Sequence, residues 1–590
     1  MGKANKGLRA VVLASVTALA LAACGGSDGG SSDDKAGGDD TSSGGASKGG
    51  TLTFLTLDEQ FTNVDPQRIY TGEDLAFFSG YMQRTLNVYN FSTDEAEATG
   101  LAPDLATDTG TANEDATSWS WTLKDGLKWE DGSDLTCEDV KYGVSRTFAT
   151  DIITNGPTYA ISMLDVPTDD EGASVYKGPY VTKGNDTAAF DKAIVCEGNK
   201  ITFNLNKPVG DFNYTVTLLS FSPVPAGSDT GEKYDDKPIS SGPYKISEYS
   251  KGSQMVLVRN DNWAPETDEY RPAYPDKIVV KFALEASVID QRLIQDSGED
   301  QSALTVGDPI EPASLATVFG DDRFADRRVN ELDPYVRYLA LNTSKLPNLE
   351  HRKAIAAALD RAQLRTIAGG EFAGDLADGV IKPNLPLDYA PSGMFESLLG
   401  QAIPDTGDPE YAKKLIADSG EPIPNVTFDY PQTPTNDKAA AAVVASLEKA
   451  GIKAKPNPIE AGQYYGIVFD PEKANEIINA GWGPDWSNAS TVVPELFTPS
   501  GGFNLSQVDD KAFNDKVAAA KALTDRDAQA EQWKALNKEA MEQVWVVPTR
   551  FGRAQRLAGS KVASGSGEDG KVYIWAPYGS WPYGDLYVKK

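Results

Sequence analysis

The sequence predicts an α/β protein whose body folds as two or more lobes. Three observations predict it. About 540 residues follow a polar tract ending at Gly50, more than one hydrophobic core usually serves. The first half of that body is rich in segments where apolar and polar residues alternate, as in half-buried strands. The second half alternates such strands with amphipathic helices, the pattern of βαβ crossovers and a largely parallel sheet.

From the amino end, Lys3, Lys6 and Arg9 precede an apolar run from Ala10 to Ala23, which closes in Leu21-Ala22-Ala23-Cys24. A basic start, a short apolar run and a small-residue cleavage point make a secretory signal. The run is shorter than the roughly 20 residues a membrane span requires. A cysteine at the cleavage point is the mark of a bacterial lipoprotein, with the Cys24 sulfur carrying the lipid anchor. The expected location is the outer face of the cytoplasmic membrane. Residues 24–50 are nearly all Gly, Ser, Asp and Thr after the cysteine, a composition that buries no core and reads as a flexible tether.

In the strand-rich half, "TLTFLTL", "SWSWTLK", "NKITFNL" and "QMVLVRN" alternate, and "KIVVKFAL" is a more continuous apolar strand. A short helix is expected from Cys137 to Phe148. "KDGLKWEDG" reads as a hairpin with Asp-Gly turns, and "SGPY" as a turn entering a strand. In the second half, Asp408 caps a helix that has Pro409 at its first position and Gly420 just past its end. "NVTFDY" is the next strand, followed by a helix stopped at Gly451 and by "IKAKPNPIE", whose prolines suit an edge. A short helix near Gly462 to Phe469, the strand "ANEIINAGW" and two further helices complete this half. The chain then returns to strand and aromatic-rich loop.

Composition removes several function classes. The net charge of −31 disfavours nucleic-acid binding and broad adhesion to anionic lipid. The one histidine, His351, is expected at a solvated position of the helix "NLEHRKAIAAALDRAQL", which argues against a Ser-His-Asp triad or an imidazole metal site. Six scattered methionines offer no soft-metal site, and no cofactor is expected. Of three cysteines, Cys24 is assigned to lipid. Cys137 and Cys196 remain in an oxidising compartment, where a disulfide between them is expected and two buried thiols are the alternative.

Ligands of open α/β sheets bind beyond the carboxyl ends of strands, often between lobes. The segment that follows "EIINA" is "GWGPDWSN". Gly481 and Gly483 permit close approach of another backbone. Trp482 and Trp486 supply broad apolar walls. Asp485 sets a carboxylate just past a strand end. Together they suit an extended chain with one cationic group, which is what a peptide offers. The other reading of the same residues is two core tryptophans and an Asp485 that caps a turn beside Pro484. Tyr335 and Arg337 on "YVRYLALN", and Arg550 after Pro548, are further candidates. An arginine there suits a peptide carboxylate, with a structural pair as its alternative.

An ordered set of phrases runs through nearly the whole chain: "GGTLTFLTLDEQFTNVDP", "LAPDLA", "WTLKDGLKWEDGSDLTCEDVKYGVSR", "SSGPYKISEYSKGSQMVLVRNDNW", "YLALNTSKLPNLEHRKAIAAALDRAQL" and "GWGPDW". In this order they resemble the oligopeptide/dipeptide-binding proteins of ABC importers, solute-binding family 5. The resemblance implies a two-lobed periplasmic-binding-protein-like fold of type II, with an extra subdomain in the first lobe. It implies a first lobe over 51–307 with the insertion at about 87–215, a second lobe over 308–545, and a return to the first over 546–590. It implies that Asp485 of the W-x-x-D pattern pairs with a ligand α-ammonium, while Gly481 and Gly483 pair with its main chain. Expected partners are a peptide and membrane permease subunits, with the protein acting as a monomer and performing no chemistry. Trp486 and "SNAS" stand where the family often has Tyr and then Asp-Pro, which leaves the ligand's length and nature open. Oligosaccharide capture is the alternative within the fold, and peptide signalling is an alternative role.

Overall fold

The computed structural model describes residues 46–590. The signal segment, Cys24 and the tether through residue 45 lie outside the described residues. The last residues of the expected tether are not free. Ser47 Oγ donates to the Val588 carbonyl, Gly49 N–H to the Tyr274 carbonyl, and Gly50 N–H to Asp276.

Two large hydrophobic cores organise the body. The first surrounds a five-stranded sheet in the order Ala303–Thr305, Thr51–Leu55, Lys277–Lys281, Gln254–Arg259, Tyr244–Ser250. Thr51–Leu55 runs parallel to both neighbours, and the remaining pairs are antiparallel. The helix Gly72–Tyr81 packs on this sheet, setting Phe77 edge-on to Phe54 at 5.5 Å. The carboxyl-terminal residues return here, where Trp581 is fully buried and its indole N–H donates to the Thr305 carbonyl.

The same core continues into an inserted four-stranded sheet that holds Ser118–Thr122 beside Lys200–Asn204. Its alternation is the one read from sequence: Trp119 and Trp121 are buried while Ser118 and Ser120, each preceding one of them, are half-exposed. Cys137, opening the helix Cys137–Arg146, and Cys196, on the strand Ile194–Glu197, form a disulfide with Cα atoms 5.9 Å apart. A buried ionic cluster ties the insertion's approach to the sheet: Arg84 and Arg271 share Asp104, at 2.7 and 2.8 Å, and both pair with Asp268. Each charge there has its partners, the condition under which buried ions are tolerated.

The second core surrounds a six-stranded sheet in the order Gly374–Leu376, Val546–Leu557, Arg328–Leu341, Ile477–Trp482, Val426–Pro431, Ala454–Ile459. The proline-bearing strand Ala454–Ile459 does lie at the edge. The sheet is not largely parallel as expected. Only the pairs made by Val426–Pro431 are parallel, and the other three are antiparallel. The reason is that Arg328–Leu341 and Val546–Leu557 enter from the first core and leave toward it, so they run in opposite directions. His351 is buried, not solvated. It is 3 % exposed, with its Nε2 3.1 Å from Ser419 Oγ and 3.2 Å from the Glu421 carbonyl, joining two helices.

Those two long strands connect the cores. Residues Arg328–Leu332 pair with Leu557–Arg553 and pack toward the first core, where Val329 and Ala554 are buried. Residues Val336–Ala340 pair with Phe551–Val546 in the second. Between them the ladder is interrupted at Asp333, Pro334 and Tyr335. The crossing between the cores falls inside the Val546–Leu557 strand, near Gly552. Lys382 is buried at this break. Its ammonium bonds the carbonyl of Asp333, the carbonyl of Tyr335 at 3.1 Å, the carbonyl of Gly552 at 3.0 Å and the Asp333 carboxylate at 3.0 Å. Short interrupted strand pairs of this kind are where hinged lobes absorb rotation.

Candidate functional site between the lobes

The strand Ile477–Trp482 lies in the middle of the second sheet, antiparallel to Arg328–Leu341. At its end Gly481 faces Arg337, which in turn faces Arg550 on the next strand, so the three occupy one row and one face. The chain then leaves the sheet through Gly483 and Pro484. Two bonds to Thr491 fix this departure: the Trp482 indole N–H donates to its carbonyl at 2.7 Å, and the Asp485 N–H to its hydroxyl at 3.1 Å.

The Asp485 carboxylate meets the other lobe. It accepts a hydrogen bond from the Tyr159 hydroxyl of the insertion, and the Tyr70 hydroxyl of the first lobe lies close enough to act on its charge. Burial pushes the Asp485 carboxyl up to about 7. The Tyr159 bond opposes this, the nearby Glu495 carboxylate adds to it, and Tyr70 opposes it again. No cation is among the groups that set its charge. A half-buried carboxylate offered only phenols and a second acid is suited to a positively charged guest.

A cavity of about 300 Å³ opens at Asp485. Trp482, Phe503 and Tyr465 form its aromatic side, with Trp482 and Phe503 centroids 4.8 Å apart. Tyr335, Gly483 and Tyr70 line it from the hinge and the first lobe. A second cavity of about 340 Å³ adjoins it, with Tyr465 and Gly481 as common walls, and Arg337 and Arg550 line this one.

The sequence candidates thus divide. Asp485, Trp482, Gly483 and Tyr335 face the first cavity, Arg337 and Arg550 the second, and Gly481 both. Trp486 faces neither. It is 2 % exposed, its indole N–H donates to Asp211 at 2.9 Å, and its ring packs edge-on to Tyr159 at 4.9 Å. It therefore takes the core-tryptophan role, stitching the lobes behind the carboxylate. The two glycines make room for side chains. A Cβ on Gly481 would sit 2.6 Å from the Arg337 guanidinium, and one on Gly483 would sit 2.9 Å from the Tyr335 ring.

Sequence reasoning missed Tyr70, Tyr159, Tyr465, Phe503 and Glu495. The phenols that reach Asp485 lie more than 300 residues before it, and no local pattern marks them.

Comparison with known proteins identifies the family. Residues 100–504 match the bacterial extracellular solute-binding proteins, family 5. This chain belongs to that family. Among its relatives is the di/tripeptide-binding protein 3 of Pseudomonas aeruginosa, 24 % identical over 510 residues, spanning 82 % of this chain and 86 % of the relative. The dipeptide-binding protein of Escherichia coli K12 is 23 % identical, over 74 % of this chain and 78 % of its own. Among solved structures, the clavulanic acid biosynthesis oligopeptide binding protein 2 superposes with a TM-score of 0.81 at 26 % identity, covering 92 % of this chain and 96 % of that one. A periplasmic binding protein from Helicobacter pylori in complex with the peptide STSA shares the fold, with a TM-score of 0.64 at 19 % identity. The family-5 fold is two-lobed, and among the described residues no helix is long and apolar enough to cross a membrane.

Proposed function

We propose that this family-5 protein is the extracytoplasmic binding component of an ABC importer. It captures a short peptide between its lobes and hands it to membrane permease subunits. Cys24 carries the lipid that holds it at the outer face of the cytoplasmic membrane, and the protein acts as a monomer. The carrying observation is Asp485: a carboxylate between two lobes, without a cation, at the mouth of a cavity. The ligand's α-ammonium supplies the missing charge. Trp482, Phe503 and Tyr465 take the ligand's apolar parts. Ligand contacts from both lobes favour the closed state, so binding and hinge closure are one equilibrium. No bond of the ligand is broken. The di/tripeptide-binding and dipeptide-binding relatives support the same reading.

An oligosaccharide would use the aromatic wall equally well, but it brings no charge for Asp485. Titration calorimetry with Ala-Ala-Ala and its N-acetyl form separates the two. The free amine is expected to bind, and acetylation to weaken binding about a hundredfold or more, the cost of leaving a buried charge unpaired. Equal affinities would contradict the proposal.

A further inference from the structure

The second cavity has a charge pattern of its own. Three arginines line it: Arg337, Arg550 and Arg365, the last on the helix Arg361–Ala368. No Asp or Glu lines it, in a chain whose net charge is −31. Every other arginine among the described residues either pairs with a carboxylate or donates to backbone carbonyls. The guanidiniums of these three do neither, and the buried Nε of Arg550 has no partner at all.

The arrangement is held open. Arg337 and Arg550 are cross-strand partners, whose Cα atoms lie about 4.5–5.5 Å apart in any antiparallel pair, a like-charge juxtaposition that destabilises a sheet. Arg337 is steadied by the Tyr335 ring, 5.0 Å from its guanidinium carbon, and by the space that Gly481 leaves. Burial and the neighbouring Arg337 push Arg550 down to about 10. One carboxylate occupies one guanidinium fork. Three guanidiniums converging on one cavity exceed what a single ligand carboxylate neutralises.

We infer that the end of the ligand remote from Asp485 carries two acidic groups, so that the preferred cargo is a short peptide with aspartate or glutamate at its carboxyl terminus. The inference rests on the peptide reading above and extends it. The ammonium sits at Asp485, the chain crosses the shared wall of Tyr465 and Gly481, and the α-carboxylate and side-chain carboxylate divide the three arginines. Arg365 is the position that adds selectivity, because the other two suffice for one carboxylate.

The test is calorimetry of the full-length protein with Ala-Ala-Glu and its isostere Ala-Ala-Gln, on the wild type and on Arg365→Gln. The wild type is expected to favour Ala-Ala-Glu by about tenfold or more, the usual worth of a hydrogen bond to a charged group. In Arg365→Gln that ratio is expected to fall below about threefold, chiefly through loss of affinity for Ala-Ala-Glu. If the wild type binds both peptides equally, the two-acid inference is overturned while the peptide reading stands. If it binds neither, the peptide reading falls and this inference falls with it. A preference that survives unchanged in Arg365→Gln removes Arg365 from the site and overturns the three-arginine assignment.

Discussion

Tyr159 of the inserted subdomain donates its hydroxyl hydrogen to the carboxylate of Asp485, which stands just past the end of a central strand in the other lobe. The residue proposed to hold the ligand is therefore also a contact between the lobes. Closure and ligand charge act on the same carboxylate.

Removing that hydroxyl tests the link. Tyr159→Phe keeps the ring against Trp486, 4.9 Å away, and deletes only the donor. It is expected to weaken peptide binding by about three- to tenfold, the net worth of one hydrogen bond, with little change in melting temperature. Calorimetry beside a thermal melt checks both halves of this expectation.

Affinity for free-amine peptides is expected to depend on pH. The groups facing the Asp485 carboxyl are Tyr159, Tyr70 and Glu495, and burial foremost holds it at about 7. The ammonium pairs with the ionised form. Below pH 7 a proton must first be removed, so affinity is expected to fall by about tenfold per pH unit, and it is expected to turn down again above about pH 8, where the ligand's α-ammonium loses its own proton. Asp485→Asn is expected to bind weakly and to lose the slope. Titrations at pH 5, 6, 7 and 8 read it directly.

The hinge lysine gives a conformational expectation. Lys382 gathers the carbonyls of Asp333, Tyr335 and Gly552 at the break between the lobes. Lys382→Met leaves those acceptors and the Asp333 carboxylate without their buried donor, at a cost of about 3–5 kcal/mol. A lower melting temperature is expected, together with a broader distribution of lobe angles in solution scattering of the unliganded protein.

The Cys137–Cys196 bond closes a loop with a sequence separation of 59 residues. Its reduction is expected to destabilise the insertion by about 4 kcal/mol through the entropy regained by the unfolded chain. Denaturant melts with and without reductant measure this, and a thiol count on unreduced, denatured protein is expected to find neither cysteine free.

Much of the fold was legible because each signal is local. The alternation of "SWSWT" places Trp119 and Trp121 on one buried face, and Asp408 caps its helix by accepting from the Tyr411 N–H as its spacing implied. Strand direction in the second sheet was not legible. It depends on two long strands that cross between the cores, and strand–helix alternation carries no record of such a crossing. His351 misled for a similar reason: its helix pattern is amphipathic, but Ser419 and Glu421, which bury it, lie about 70 residues away.

The candidate site was legible only on one side. Asp485, Trp482 and Gly483 lie within a few residues of one another and draw attention together. Tyr70 and Tyr159 reach the carboxylate from the other lobe, and only the folded chain brings them there. Trp486 shows the limit of reading an aromatic beside a carboxylate. The register turns it away from the cavity and toward Asp211.

The most direct measurement is a crystal structure of the protein with a bound tripeptide that has a free amino terminus. The expected result is the peptide enclosed between the lobes, with its ammonium nitrogen about 2.7–2.9 Å from an Asp485 oxygen. A peptide bound with its ammonium elsewhere, and Asp485 still bonded by Tyr159 without the ligand, would contradict the account.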